Sequence, residues 1–285
     1  MTIAIISDTD TSLPKVILDE FGIRQVSITI HFGEEILKAC SEITDEELVE
    51  RVNLEGTLPT TAAPSPGDFG QAYQEAFEAG ADEIICLTVS GDVSATYASA
   101  LAAKELYPGK QITLFDTKSI SMGQGFMVLK AAEMAKEGKN QQEILKAVED
   151  VRERTHLFAA LETLKFMAMS GRVGHLTAEM ANVFSIKPIL TIKDGKLDLL
   201  EKVRTRKKAW SRVIELAAEG LGDGEVEKIF ILHVAAEKDA AEFEKLLREA
   251  IPCPEVIPMT ELTPGLSVHT GAGLVGVAFM TKEKM

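Results

Sequence analysis

The sequence predicts an α/β fold in two packed units, and three observations carry that reading. Short apolar runs alternate with amphipathic segments through the first half, the pattern of a parallel sheet flanked by helices. In the second half Asp194-Gly195 separates two β-like runs, a strong signal for an antiparallel hairpin. The chain has 285 residues, enough for one large domain or two modest ones, and no repeat or low-complexity linker interrupts it. The units are expected to meet near residue 155.

The elements follow in order. Ile3–Ser7 is an apolar strand ended by polar Asp8–Ser12, and Pro14 opens a helix that Gly22 stops. Gln25–Ile30 reads as the second strand. Thr44-Asp45-Glu46-Glu47 is a capping box, in which Thr44 and Glu47 satisfy each other's orphan amides. Ser65-Pro66-Gly67-Asp68 starts another helix: Ser65 caps, Pro66 takes the first position and Asp68 favours the positive helix end. Strands at Glu83–Val89 and Gln111–Phe115 enclose a helix over about Ser94–Leu106. Helices over about Ser121–Lys136 and Gln141–Arg154 follow, the second capped by Asn140 with Glu143. Beyond them come strand Leu157–Leu161, a helix over Thr177–Phe184, and hairpin strands Pro188–Ile192 and Leu197–Val203. Helix Lys207–Leu221, strand Lys228–Val234, helix Lys238–Ala250, strand Val256–Met259 and a final strand Leu274–Met280 complete the chain.

Composition excludes several classes. Hydrophobic residues make up 46% and charged residues 26%, ordinary globular usage that excludes disorder for the bulk of the chain. Aromatic residues are only 6%, so the cores are built from Ala, Val, Ile, Leu and Met. A net charge of −14 argues against a nucleic-acid surface, because phosphates are met by Lys and Arg. No run approaches the ~18 apolar residues of a membrane span. The N-terminus lacks a basic region ahead of its apolar run and reaches Asp8 quickly, so a strand rather than a signal peptide is expected. Cys40, Cys86 and Cys253 are too few and too scattered for a zinc cage or disulfide framework. A cytoplasmic location is expected.

Four motifs bear on chemistry. Asp8-Thr9-Asp10-Thr11-Ser12 resembles the DxDx[TV] start of haloacid-dehalogenase-type phosphatases, where one Asp attacks phosphorus beside Mg²⁺. No late carboxylate pair at a strand end accompanies it, so a turn in which Asp8 and Asp10 accept backbone amides is favoured and a Mg-dependent phosphohydrolase is the alternative. Gly271-Ala272-Gly273-Leu274-Val275-Gly276 matches G-x-G-x-x-G but precedes a strand rather than a helix, so it is no dinucleotide fingerprint. Neither a P-loop nor a G-x-S-x-G elbow occurs. Of the five histidines, His269 stands apart in Thr263–Gly271, a stretch suited to tight backbone, and is the pocket candidate. Finally, Thr60, Thr61 and Ser65 precede one helix, while Ser90, Ser94 and Thr96 mark the entrance to another. Two helix starts converging there would make an anion site.

At these residues the chain resembles the DegV family, and the resemblance runs in order along nearly its whole length. Asp8–Pro14 (DTDTSLP) resembles the family's DSTxDLP-like turn, Thr60–Phe69 (TTAAPSPGDF) its TSQPSPxDF loop, and Ser90–Tyr97 (SGDVSATY) its SxxLSGTY segment. Asp116–Gly125 (DTKSISMGQG) is similar to its DSxxxSxGxG stretch, Leu164–Val173 (LKFMAMSGRV) to its LxxLxxGGR block, and His269–Gly276 (HTGAGLVG) to its HxGPGxxG ending. Ala62 and Ala63 stand where the family has Ser-Gln, Ala95 where it has Gly, and Ala272 where it has Pro.

The resemblance implies a three-layer α/β/α domain over 1–155 with a mainly parallel sheet, and a two-layer α/β domain over 156–285 with a mixed sheet. It further implies a non-catalytic subunit, without cofactor or metal, that buries one long-chain fatty acid and presents its carboxylate to a separate ATP-binding kinase subunit. A small-carboxylate sensor without a kinase partner is a third reading. The headgroup residues carried over are Thr61, Ser94 and His269, with Ser65, Thr96, Thr270 and Gly271 as candidate support. Met122, Phe126, Phe166, Met169, Phe184 and Ile186 are candidate acyl-chain contacts, and ordinary core packing is the plainer role for each.

The acidic average conceals one basic stretch. From Lys187 to Arg212 there are nine basic and three acidic residues. Arg172, Lys202, Arg204 and Arg206 are the candidate partner contacts, for an acidic kinase surface or transient contact with anionic lipid.

Overall fold

The computed structural model describes residues 2–171 and 186–283. Its first sheet is parallel, in the order β2-β1-β6-β7, from β1 (Ile3–Asp8), β2 (Arg24–Val26), β6 (Glu83–Thr88) and β7 (Gln111–Asp116). Alternation along each strand divides the side chains between two cores. Ile6, Ile84 and Cys86 face α3 (Pro66–Glu78) and α4 (Thr96–Lys104), packing on Phe69, Tyr73 and Ala100. Ile5, Ile85 and Leu87 face the opposite way, toward α5 (Ser121–Lys136) and α6 (Gln141–Arg154).

The second sheet has six strands in the order β10-β9-β8-β13-β11-β12. These are β8 (Thr155–Ala160), β9 (Lys187–Lys193), β10 (Lys196–Val203), β11 (Val226–His233), β12 (Met259–Glu261) and β13 (Val275–Thr281). It is mixed, because β11 and β12 run parallel while the other pairs are antiparallel. Val275, Val277 and Phe279 of β13 point to α8 (Arg206–Leu221) and α9 (Glu237–Ala250). The intervening Ala278 and Met280 point back into the core that holds Ile5, Leu87 and Phe126. Helix α5 therefore lies between the two sheets. Residues Ser121–Leu129 are buried without interruption, which is why this helix lacks an amphipathic stripe.

A third sheet, β4-β3-β5, is built from β3 (Thr29–Phe32), β4 (Glu35–Lys38) and β5 (Thr60–Ala62). Its core of Ile28, Ile30, Phe32 and Leu48 takes in Val268 from α10 (Pro264–Thr270), and α2 (Asp45–Glu55) contributes Leu48. The strand expected over Gln25–Ile30 is thus two strands in two sheets. The ladder breaks at Ile28, whose N–H donates to Thr9 Oγ1 (3.1 Å) instead of a strand partner.

Local signals are reproduced in detail. Thr44–Glu47, Ser65–Asp68 and Asn140–Glu143 all form reciprocal capping boxes, and Gly22 ends α1 (Lys15–Phe21) in the left-handed conformation. Lys193-Asp194-Gly195-Lys196 turns the β9–β10 hairpin, with both central residues at positive φ. Two expectations shift. The strand placed at Val256–Met259 is β12 at Met259–Glu261, because Pro258 has no N–H to give the ladder and only accepts from Ile231. The segment around His269 is the short helix α10, announced by Thr263-Pro264 as N-cap and first position. The helix expected over Thr177–Phe184 lies outside the described residues. Thr155, beside the expected unit boundary, is where α6 hands over to β8.

Candidate functional site

Between the first two sheets and α10 lies a partly open cavity of about 320 Å³. Most of its wall is carbon. Leu157, Ala159 and Leu190 come from β8 and β9, Leu232 from β11, and Ile120 and Val93 from the loops that enter α5 and α4. Asp10, Thr61, Ser94, Ser121, Thr191, His269 and Thr270 bring the hydroxyls, the imidazole and the carboxyl. Among the described residues no Lys or Arg lines it. An anion here would be met by hydroxyls and the His269 imidazole.

Thr61 and His269, 208 positions apart, meet directly: Thr61 Oγ1 lies 2.9 Å from His269 Nε2. Strand β5 supplies the first by pairing Thr61 with Ile30, and the last turn of α10 supplies the second. Ser94 reaches the same cavity from the β6–α4 loop. Its N–H donates to Ser90 O (3.1 Å), and its Oγ accepts from Thr96 N (3.3 Å) and pairs with Thr96 Oγ1 (2.8 Å). Ser90 Oγ in turn donates to Gly195 O (2.6 Å), tying this loop to the hairpin tip.

The remaining expected residues divide. Thr270 lines the cavity, and Thr96 acts behind Ser94. Ser65 does not line it: its hydroxyl and Asp68 close the start of α3 on themselves in a capping box. Helix α4 differs, because its N-cap is Ala95, which has no capping side chain and itself lines the cavity. Gly271 is required by packing, at φ +75° with the Phe166 ring against the position a Cβ would take. Phe166 is committed to that contact rather than to the cavity wall.

Four further tail candidates lie off this cavity's wall. Met122 and Phe126 are buried on α5, Phe126 against Phe230, and neither lines the cavity. Met169 is 61% exposed; two residues earlier on α7 (Lys165–Ser170), Met167 turns inward and lines it instead. One helical face cannot hold both, because a two-residue step turns about 200°. Ile186 packs at the edge of the shared core rather than on the cavity wall. Phe184 and Arg172 lie outside the described residues. The family departures do fall on the wall: Ala62, Ala63 and Ala95 all line the cavity and make it more apolar.

Asp10 was missed as a cavity residue. It is buried, and its Oδ1 accepts from Thr263 Oγ1 (3.2 Å). Burial, reinforced by the Asp8 charge and opposed by Thr263, pushes its carboxyl up to about 8. Asp8 is fully buried, and burial raises it too, against amides that lower it. Its Oδ2 accepts from Val89 N (2.7 Å), and its Oδ1 accepts from Asp10 N (2.9 Å) and Gln124 Nε2 (3.1 Å). With both oxygens so engaged, Asp8 is the acceptor of a strand-to-turn junction. Among the described residues no three His, Cys, Asp or Glu side chains gather as a metal set. The phosphohydrolase reading gains no support.

On the basic stretch, Lys202 and Arg204 are exposed, and Arg206 pairs with Asp239 (2.5 Å) and Glu162 (3.4 Å). No helix among the described residues is long and apolar enough to cross a membrane.

The fold and the cavity together define an α/β protein built around a largely apolar chamber with a few polar side chains on its wall. The chain belongs to the DegV family: the family model described as "Uncharacterised protein, DegV family" matches residues 2–282. A DegV domain-containing protein of Streptomyces coelicolor is 31% identical over 280 residues, covering 98% of this chain and 99% of the relative. A DegV family structure from Thermus thermophilus, described by its fatty acid binding, superposes with a TM-score of 0.90 at 30% identity, over 99% of this chain and all of the other. DegV of Bacillus subtilis, described as a fatty acid binding protein, gives 0.88 at 28% identity, with 99% and 100% covered.

Proposed function

We propose that this chain binds one long-chain fatty acid in the buried cavity and presents its carboxylate to a separate ATP-binding kinase subunit for acyl-phosphate formation. The observation that carries the reading is the cavity itself, carbon-walled, with the Thr61–His269 pair and Ser94 opening into it. Each methylene taken from water contributes about 0.8 kcal/mol, so an aliphatic chain binds tightly with no covalent bond. Its carboxylate cannot stay unpaired in such surroundings, and the hydroxyls and imidazole are the donors available. The described binding of the Thermus and Bacillus relatives supports the same ligand class.

The chemistry asks little of this chain. A carboxylate is already ionised at neutral pH, so its oxygen attacks the γ-phosphorus without a general base while ADP departs. The chain's part is to hold and orient the acyl group. The exposed Lys202, Arg204 and Arg206 are the residues we assign to contact with the kinase subunit, or briefly with anionic lipid. Solvent extraction of purified protein followed by mass spectrometry should yield about one acyl chain per protein. No extracted fatty acid, with no uptake of oleate on titration, would sink the reading. Charge reversal at Arg204 should slow kinase-dependent phosphorylation and spare lipid binding; uptake without phosphorylation by any cognate kinase subunit would favour a sensor.

A further inference from the structure

The Asp8-Thr9-Asp10 turn has no part in the acyl-binding reading, yet it touches the helix that carries His269. Asp10 Oδ1 accepts from Thr263 Oγ1 (3.2 Å). Thr263 occupies the N-cap position of α10, but its side chain caps nothing and is given to Asp10 instead. Two residues on, a Cβ at Gly265 would overlap Asp10 Oδ1 and crowd Ile28. The bare glycine is what lets α10 seat against the carboxyl. A second tie runs alongside, from Thr260 Oγ1 to Ser12 O (3.0 Å). Asp10 itself is aimed by Asp8, which accepts its N–H, and it lines the same cavity as His269.

We propose that Asp10 is a positioning residue for the headgroup site: it seats the first turn of α10 and thereby sets His269 against Thr61. The inference deepens the fatty-acid reading and rests on it. The titratable groups around Asp10 are Asp8 on its own turn, Cys40 ahead of α2, and His269 across the cavity. Among the described residues no Lys or Arg lines the cavity. Burial holds the acid in its neutral form up to about pH 8. A neutral Asp10 keeps α10 in place without setting a second negative charge beside an acyl carboxylate. Once ionised, it would repel that carboxylate through a medium of low dielectric.

The test measures oleate affinity of delipidated protein from pH 6.5 to 9.5, for the wild type, Asp10→Asn and Thr263→Val. Nuclear magnetic resonance of the His269 ring in ligand-free protein is read alongside. Wild-type affinity should fall about tenfold or more as pH passes 8, whereas Asp10→Asn, an uncharged isostere, should stay level. Thr263→Val should bind about tenfold more weakly at pH 7 while remaining folded. The His269 signal should follow Asp10 ionisation in the wild type and not in Asp10→Asn. The same alkaline fall in Asp10→Asn as in the wild type, or wild-type affinity in Thr263→Val, overturns the assignment. If the wild type takes up no oleate at any pH, the fatty-acid reading fails and the ring signal decides alone. A His269 resonance indifferent to both substitutions then refutes the positioning role.

Discussion

Replacing Thr61 by valine exchanges one hydroxyl for a methyl at nearly constant volume. In the folded protein it removes the 2.9 Å contact between Thr61 Oγ1 and His269 Nε2, which is worth about 0.5–1.5 kcal/mol net. The larger effect falls on the ligand. A hydrogen bond to a charged carboxylate contributes about 1.5–3 kcal/mol, so fatty-acid affinity should weaken roughly 10- to 150-fold. Because Thr61 and His269 are in direct contact, their losses should not add. His269→Ala in the Thr61→Val background should cost less than His269→Ala alone, with a coupling of about 0.5–3 kcal/mol. The assay is titration of delipidated protein with a fluorescent fatty acid, with thermal unfolding run beside it. Thr61→Val affinity within twofold of wild type, or strictly additive effects in the double variant, would refute the idea that this pair acts as a unit on the headgroup.

Two further outcomes follow from the same geometry. Ala159→Phe sets a ring into the cavity wall from β8; extracted lipid should shift to shorter chains or disappear while the fold persists, and an unchanged lipid profile would remove the chamber as the acyl site. Burial pushes Asp45 up to about 7, with Glu261 adding to it and Ser267 opposing it. A carboxyl raised in the folded state keeps a proton that the unfolded chain has already lost, so stability falls as pH rises from about 4 to about 7. Asp45→Asn removes that linkage, and its urea midpoint should decline less than the wild type's across that window; parallel curves would count against it.

The three departures on the cavity wall bear on ligand choice. Ala62, Ala63 and Ala95 bring no side-chain donor to it, so the polar side chains on the wall are Thr61, Ser94, Ser121, Thr191, His269 and Thr270 together with Asp10. A chain with fewer donors around an acyl headgroup depends more on each of them. That is the reason Thr61 and Asp10 are the informative positions to change.

What the sequence determined by itself is local. Thr44–Glu47, Ser65–Asp68 and Asn140–Glu143 sit within three residues of each other, and their hydrogen bonds form inside a single turn, so residue type and spacing suffice. The Asp194-Gly195 turn is legible for the same reason: positive φ at both positions is a property of the dipeptide. The family motifs pointed to Thr61, Ser94 and His269 as a set, but not to their arrangement. Tertiary structure decided the rest. The expected second strand is divided between two sheets, with the Ile28 N–H given to Thr9 at the break. Helix α5 carries no amphipathic signature because it is covered by both sheets. The cavity wall gathers residues from Asp10 to Leu274, and no window of sequence contains the contact between them. Asp10 looked like half of a phosphatase motif until packing placed it under α10, where its partner is a threonine 253 residues away. Caps and turns are settled by bonds within a few residues, whereas a chamber depends on which distant surfaces the hydrophobic core presses together.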